Sequence, residues 1–339
     1  MIHTVEQLEQ YMSIPSEALL ADIKELEGDF MILGIGGKMG PTLAYLLKNA
    51  IDAAGTKQKV IGVSRFSDGT LEQQLNKKGI ETIACDLLNE EEMKKLPVVP
   101  NVIYMAGNKF GTQGNEHFTW AMNSYLPGRV AEHFKDSRIV VFSTGNVYPL
   151  TEIKMGGCDE LVLPNPVGEY GQSSLGRERI FTYFSHLYET KMILFRLNYA
   201  IDLRYGVLVE IARSVYTEEP VDVTMGHANV IWQGSANEYA IRSLLHAASP
   251  PAIFNATGPE TLSVRWLAGE FGKRFGKEVK IVGEEADTAL LSNSSKAHQA
   301  FGYPSVSIRE MIDLIAHWIG NEGELLNKPT HFQERKGQF

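Results

Sequence analysis

Cysteine is scarce: only Cys85 and Cys158 occur in 339 residues. They form no C-x-x-C and allow at most one bond. A disulfide-stapled fold is excluded, and reduced, buried thiols in a cytoplasmic protein are expected. The nine histidines form no H-x-x-x-H or H-E-x-x-H pattern, so no metal site is expected. Basic charge is in deficit, with 32 Lys and Arg against 41 Asp and Glu, a net charge of −9. Such a chain has no general attraction for phosphate backbones, and a nucleic-acid partner is disfavoured. No apolar run approaches the roughly 20 residues of a membrane span. The start, Met1-Ile2-His3-Thr4-Val5-Glu6, lacks the basic and apolar regions of a signal peptide. These absences predict a soluble, cytoplasmic protein.

Apolar content is normal, at 44%, and the 31 glycines concentrate at informative places. Residues 4–27 read as a helical preface. Thr4 and Gln7 stand at capping-box spacing, and Pro15 and Glu17 suit a second helix start. Short apolar runs at 30–33, 60–63, 82–84, 102–105, 139–142, 192–195 and 252–254 alternate with helix-length segments. That alternation predicts an α/β fold, a Rossmann-type doubly wound parallel sheet. After about residue 200 the pattern loosens, with helices expected at 206–217, 235–247, 263–275 and 307–319. We divide the chain into an N-terminal helical extension (1–28) and a dinucleotide-binding domain (29–200). A smaller C-terminal substrate lobe interleaved with the last strands (201–320) and a polar surface tail (321–339) complete it.

The first strand runs into Gly34-Ile35-Gly36-Gly37-Lys38-Met39-Gly40. Between a buried strand and an amphipathic helix, a G-x-x-G-x-x-G loop is a pyrophosphate cradle. Gly34, Gly37, Lys38, Met39 and Gly40 are therefore candidate cofactor contacts. The second strand ends Ser64-Arg65, where an NAD site usually carries an acidic residue. A hydroxyl and a guanidinium suit a 2′-phosphate, so NADP is preferred over NAD. The bland alternative is a solvated Arg65 neutralised by Asp68. Asp86 and Leu87 are placed beside the adenine, with helix capping as the alternative role for Asp86.

At this point the sequence resembles the extended short-chain dehydrogenase/reductase family, the NAD(P)-dependent epimerases and dehydratases. The resemblance spans about residues 29–320. It rests on ordered motifs: the glycine loop, Cys85-Asp86-Leu87, Met105-Ala106-Gly107, Phe142-Ser143-Thr144-Gly145-Asn146-Val147-Tyr148 and Asp159-Glu160. Tyr170-Gly171-Gln172-Ser173, Arg196-Leu197-Asn198 and Phe254-Asn255-Ala256-Thr257-Gly258 follow. It implies that Ala106, Gly107 and Tyr170 also contact the cofactor, and that Tyr170 exchanges a proton with a substrate oxygen while Thr144 hydrogen-bonds that oxygen. A phenol has an ordinary pKa of about 10 and needs help at neutral pH. The family supplies a lysine four residues after the tyrosine, on the same helix face.

Here that residue is Ser174. Lys109, after the fourth strand, is the leading replacement; Arg177, two helical turns after Tyr170, is the other. The alternatives are a solvated loop lysine and a surface or interface arginine. Asn146, Asn198 and Trp232 are candidate substrate contacts, with Gln233 beside Trp232; core packing is the alternative for Trp232. The stretch Val230–Asn237 offers no cation for a diphosphate. An oxidoreductase or epimerase acting on a small hydroxylated or sugar-derived compound is the leading reading. A catalytically weak, redox-sensing NADP(H) binder and a nucleotide-sugar epimerase or dehydratase are its competitors. The resemblance also implies a homodimer through helices near 116–134 and 170–188. Phe181, Tyr183, Phe184 and Tyr188 give the second helix surplus aromatic surface.

Overall fold

A computed structural model describes residues 1–67, 69–109 and 111–338. Seven parallel strands form its central sheet: β1 (Phe30–Leu33), β2 (Val60–Ser64), β3 (Glu81–Ala84), β4 (Asn101–Tyr104), β5 (Arg138–Thr144), β6 (Met192–Leu197) and β7 (Ala252–Ala256). Their order across the sheet is β3-β2-β1-β4-β5-β6-β7, with every neighbouring pair parallel. All seven predicted strands are present. The order reverses between β1 and β4, which opens a crevice at the carboxyl ends of those strands.

Alternation along the strands explains why they read as unbroken apolar runs. Phe30, Ile32, Ile103, Val140 and Phe195 join a core with Leu43, Leu47 and Ile51 of helix Gly40–Ala54. Met31, Leu33, Tyr104, Val141 and Leu194 join another with Leu126, Val130 and Phe181. A sheet covered on both faces needs apolar residues at consecutive positions.

The predicted late helices are Val207–Tyr216, Gln233–Arg242, Val264–Phe275 and Ile308–Gly320. Leu208, Ile211, Leu267, Phe271, Ile312 and Ile315 from three of them build a further core. Helix Gln233–Arg242 instead packs Ala236, Tyr239 and Ala240 on the sheet side. The N-terminal preface is split the same way. Thr4 caps helix Val5–Met12, whose Leu8 and Met12 enter the lobe core. Ser16 caps helix Glu17–Glu25, whose Leu19 and Ile23 pack on the sheet side.

The tail departs from expectation. Thr330 and Phe332 are buried, and Phe332 inserts into the lobe core. Cys85 and Cys158 are free and buried. Among the described residues no helix is long and apolar enough to cross a membrane, and no group of His, Cys, Asp or Glu is arranged to hold a metal ion.

Candidate cofactor and substrate site

The glycine loop leaves β1 through a tight turn in which the amides of Gly34 and Ile35 both donate to the Val63 carbonyl, at 3.0 and 3.2 Å. Gly34 has φ +89°, and a Cβ there would lie 2.7 Å from the Ala106 nitrogen. Only glycine meets both conditions. Helix Gly40–Ala54 then begins with no side-chain cap and with Pro41 in its first turn. Its unpaired donors and positive end suit an anion.

Two cavities meet at this loop and share Gly34, Gly37, Met105, Gly107 and Asn108. The first, about 500 Å³, is lined by Ser64, Arg65, Asp86, Leu87, Ala106 and Gly107. All six were singled out in the sequence. Asp68 lies outside the described residues. Asp86 does not cap the following helix: its Oδ1 accepts from the Leu88 amide at 3.0 Å, and Asn89 provides the cap.

The second cavity, about 260 Å³, is lined by Lys38, Met39, Lys109, Thr144, Asn146, Tyr170 and Asn198, among others. Residues from five separate stretches of sequence thus face one space. Thr144 ends β5, and its Oγ1 accepts from the Asn146 amide at 3.2 Å and donates to Asn146 Oδ1 at 3.1 Å. Asn146 is therefore a turn residue and a cavity residue together. Tyr170 stands in the first turn of helix Gly168–Tyr188. Lys109 Nζ lies 5.7 Å from the Tyr170 ring centre. Burial holds the Lys109 pKa down to about 8, against a raising influence from Glu210. Lys38 is held down to about 7, by burial first and then by Lys109.

Arg177 is not a surface or interface arginine. It is 6% exposed and lines the second cavity. It donates to the Phe142 carbonyl and to Asn123 Oδ1, both at 2.7 Å. Ser174 is completely buried, lines neither cavity, and its Oγ has no hydrogen-bond partner. Ser174 thus supplies no polar contact to Tyr170. Trp232 is also corrected: it is 1% exposed and packs in the lobe core, edge-on to Tyr11. The neighbouring Gln233 does line the cavity, and its Nε2 donates to Thr42 Oγ1.

Beneath the site the family-like motifs join in one buried network. Glu178 pairs with Arg196 at 2.7 Å and accepts from Ser143 Oγ at 2.6 Å. Arg196 also donates to Tyr148 Oη, which donates to Asn255 Oδ1 at 2.9 Å. Asn255 in turn donates to the carbonyls of Cys158 and Asn293.

Sequence reasoning missed Asn123, Tyr199, Tyr205, Glu210 and Thr330. Asn123 lies in a π-helical stretch, Ala121–Tyr125. It accepts from the Asn108 amide and donates to the Asn108 carbonyl and Ser173 Oγ. A signal existed: Thr119, Asn123, Leu126 and Val130 share one buried helical stripe, and a polar residue there needs partners. Tyr199, Tyr205 and Thr330 line the second cavity. No sequence pattern marks Thr330 or Glu210, which meet only through folding.

The model of the NAD dependent epimerase/dehydratase family matches residues 30–201. No curated protein matches the sequence. Among solved structures, a UDP-glucuronic acid 4-epimerase from Bacillus cereus, in complex with a UDP-sugar analogue and NAD, is 17% identical with a TM-score of 0.70; the match covers 87% of this chain and 99% of that one. A UDP-glucose 4-epimerase from Thermotoga maritima is also 17% identical, with a TM-score of 0.67 and the same coverage. An epimerase from Methanothermobacter thermautotrophicus is 17% identical, with a TM-score of 0.70, over 90% of this chain and 96% of that one. At such identities the likeness is one of fold.

Proposed function

Because this chain belongs to the NAD-dependent epimerase/dehydratase family, we propose that it transfers hydride between a nicotinamide dinucleotide and a small hydroxylated or sugar-derived substrate. The observation that carries this reading is the convergence of Tyr170, Thr144, Asn146 and Lys109 on a cavity continuous with the glycine-loop crevice. The residues present fit a dinucleotide. Gly34 leaves room for close approach, the following helix start is uncapped, and the two cavities divide at the loop. When bound, the nicotinamide supplies hydride acceptance and donation.

On this reading Tyr170 holds the proton of the substrate oxygen and Thr144 hydrogen-bonds the same oxygen. Lys109, whose Nζ lies 5.7 Å from the Tyr170 ring centre, is the cation that acts beside this phenol. Arg177 and Asn123 brace the loop after β4 against the end of β5. Asn146, Asn198 and Gln233 are candidate substrate contacts. Tyr170→Phe should abolish turnover and change cofactor affinity little. Full activity in Tyr170→Phe on the substrate identified would overturn the assignment of acid/base chemistry to this phenol.

We further propose NADP as the preferred cofactor, because Arg65 lines the first cavity beside Ser64 where an acidic residue would suit NAD. Two neighbours whose complexes contain a dinucleotide hold NAD. Arg65→Ala should weaken NADP(H) several-fold more than NAD(H) in fluorescence titrations. Equal weakening of both would remove the preference. Of the aromatics expected on this surface, Phe181 is completely buried and Phe184 packs partly buried against the same core; the exposed Trp120, Tyr125, Tyr183, Leu187 and Tyr188 on helices Glu116–Trp120 and Gly168–Tyr188 and the π-helical stretch between Trp120 and Leu126 support a homodimer.

A further inference from the structure

We infer that the C-terminal segment around Thr330 is a working wall of the substrate cavity, and that Glu210 and Thr330 are positioning residues for Lys109. The inference rests on the reading of Lys109 as the cation that serves Tyr170.

The segment is fastened at four points. The Leu326 amide donates to the Arg204 carbonyl at 3.1 Å. The Thr330 amide donates to Glu210 Oε1, and Thr330 Oγ1 donates to Glu210 Oε2 at 2.8 Å. Phe332 is inserted in the lobe core. Arg335 donates to the Thr288 carbonyl at 2.7 Å and to Thr288 Oγ1 at 2.6 Å. Beyond this, Gly337 packs on Gly168, two residues before Tyr170. The chain end therefore runs from the lobe helix Val207–Tyr216 to the start of the helix that carries Tyr170. Thr330 lines the cavity on the way.

The contact that matters is at Thr330. Its carbonyl accepts from Lys109 Nζ at 3.5 Å. Glu210 holds that residue by its amide and its hydroxyl together, so both donors next to the carbonyl are fixed by one carboxylate. The residue so held presents its carbonyl to Lys109 Nζ, which lies 5.7 Å from the Tyr170 ring centre. Glu210 also acts through charge. Burial raises its own pKa, opposed by Thr330, His331 and Lys109, and it favours the charged form of Lys109. Among the described residues, Glu210, Tyr170 and Lys38 act on or face Lys109, with Asp202 and Lys328 acting on Lys38 and His331 on Glu210. Loss of this carbonyl would remove one fixed acceptor from the Lys109 ammonium. Thr330 stands on that wall, and the glycine-loop residues Gly34, Gly37 and Lys38 line the same cavity.

The test is lysine acetylation of the full-length protein across pH, read peptide by peptide by mass spectrometry, with exposed Lys57 as the internal standard. It needs neither cofactor nor substrate, so its outcome is separate from that of the hydride-transfer reading. In the wild type Lys109 should be protected, and its reactivity should titrate near 8. Glu210→Ala should speed its labelling roughly five-fold or more at alkaline pH, where the amine is neutral in both proteins and the rate reads access. Glu210→Gln should lower the midpoint by about half a unit or more, and Glu210→Asp, which keeps the charge, should restore it. Thr330→Ala, a milder change, should raise the rate about two-fold and serves if the Glu210 variants fail to fold. Labelling of Lys109 that is unchanged by these variants, or an equal acceleration at every lysine, would overturn the inference.

Discussion

Lys38 and Lys109 line one cavity, and burial holds both below the ordinary lysine range. A depressed lysine is a sensor of incoming negative charge. A bound pyrophosphate favours the ammonium of Lys38, so its pKa rises on binding and a proton is taken up. The free pKa is about 7, so uptake should approach one proton at pH about 8.5, and affinity should fall as pH rises. Calorimetry in two buffers of different ionisation enthalpy reads this directly, and Lys38→Met should remove most of it. No uptake at this pH would place Lys38 away from the phosphates. For Lys109 the readout is turnover. If it is the cation that serves Tyr170, Lys109→Met should lower kcat about ten-fold or more while cofactor affinity in fluorescence titrations changes little. Unchanged kcat would reduce Lys109 to a loop residue.

The glycine loop works as an element because β1, the turn and helix Gly40–Ala54 are fixed together. Gly34 is the tightest point, with its left-handed backbone pressed against Ala106. Gly34→Ala combines backbone strain with an overlap that only a shift of β1 from the loop after β4 can relieve. A loss of about 1–3 kcal/mol of stability is expected, with cofactor binding lost in the same variant. Urea denaturation and fluorescence titration measure the two effects. Wild-type stability would mean that the loop relaxes more freely than its contacts indicate. The tyrosine helix carries a different burden. Its Tyr170 faces the cavity, its Arg177 and Glu178 are buried in polar networks, and its Tyr183 and Leu187 are exposed. One helix thus serves site, sheet and surface.

At the scale of the molecule, the exposed aromatic face is the feature that isolation leaves unexplained. Tyr125 and Tyr183 are 60% and 59% exposed. If the proposed homodimer buries them, light scattering at micromolar concentration should report twice the 37.7 kDa chain mass. Tyr183→Glu should shift the protein toward monomer by placing a charge in the interface. A wild-type monomer would leave this face without the proposed partner.

What was legible in the sequence was whatever local periodicity and backbone sterics dictate. Seven apolar runs separated by helix lengths specify a parallel sheet, because a strand buried on both faces has no polar positions. Three glycines between a strand and a helix specify the loop, because Gly34 and Gly40 have no room for a Cβ. Side-chain partnerships between distant segments were not legible. Trp232 looked available to a substrate until the lobe closed over it, and Arg177 looked exposed until Phe142 and Asn123 received its guanidinium. The missing lysine could be noticed at Ser174, but only folding brings Lys109 to the Tyr170 ring and Thr330 to Lys109. These contacts join residues 61 and 221 positions apart. No local pattern encodes such a separation, because the energy that fixes it comes from packing of the intervening chain.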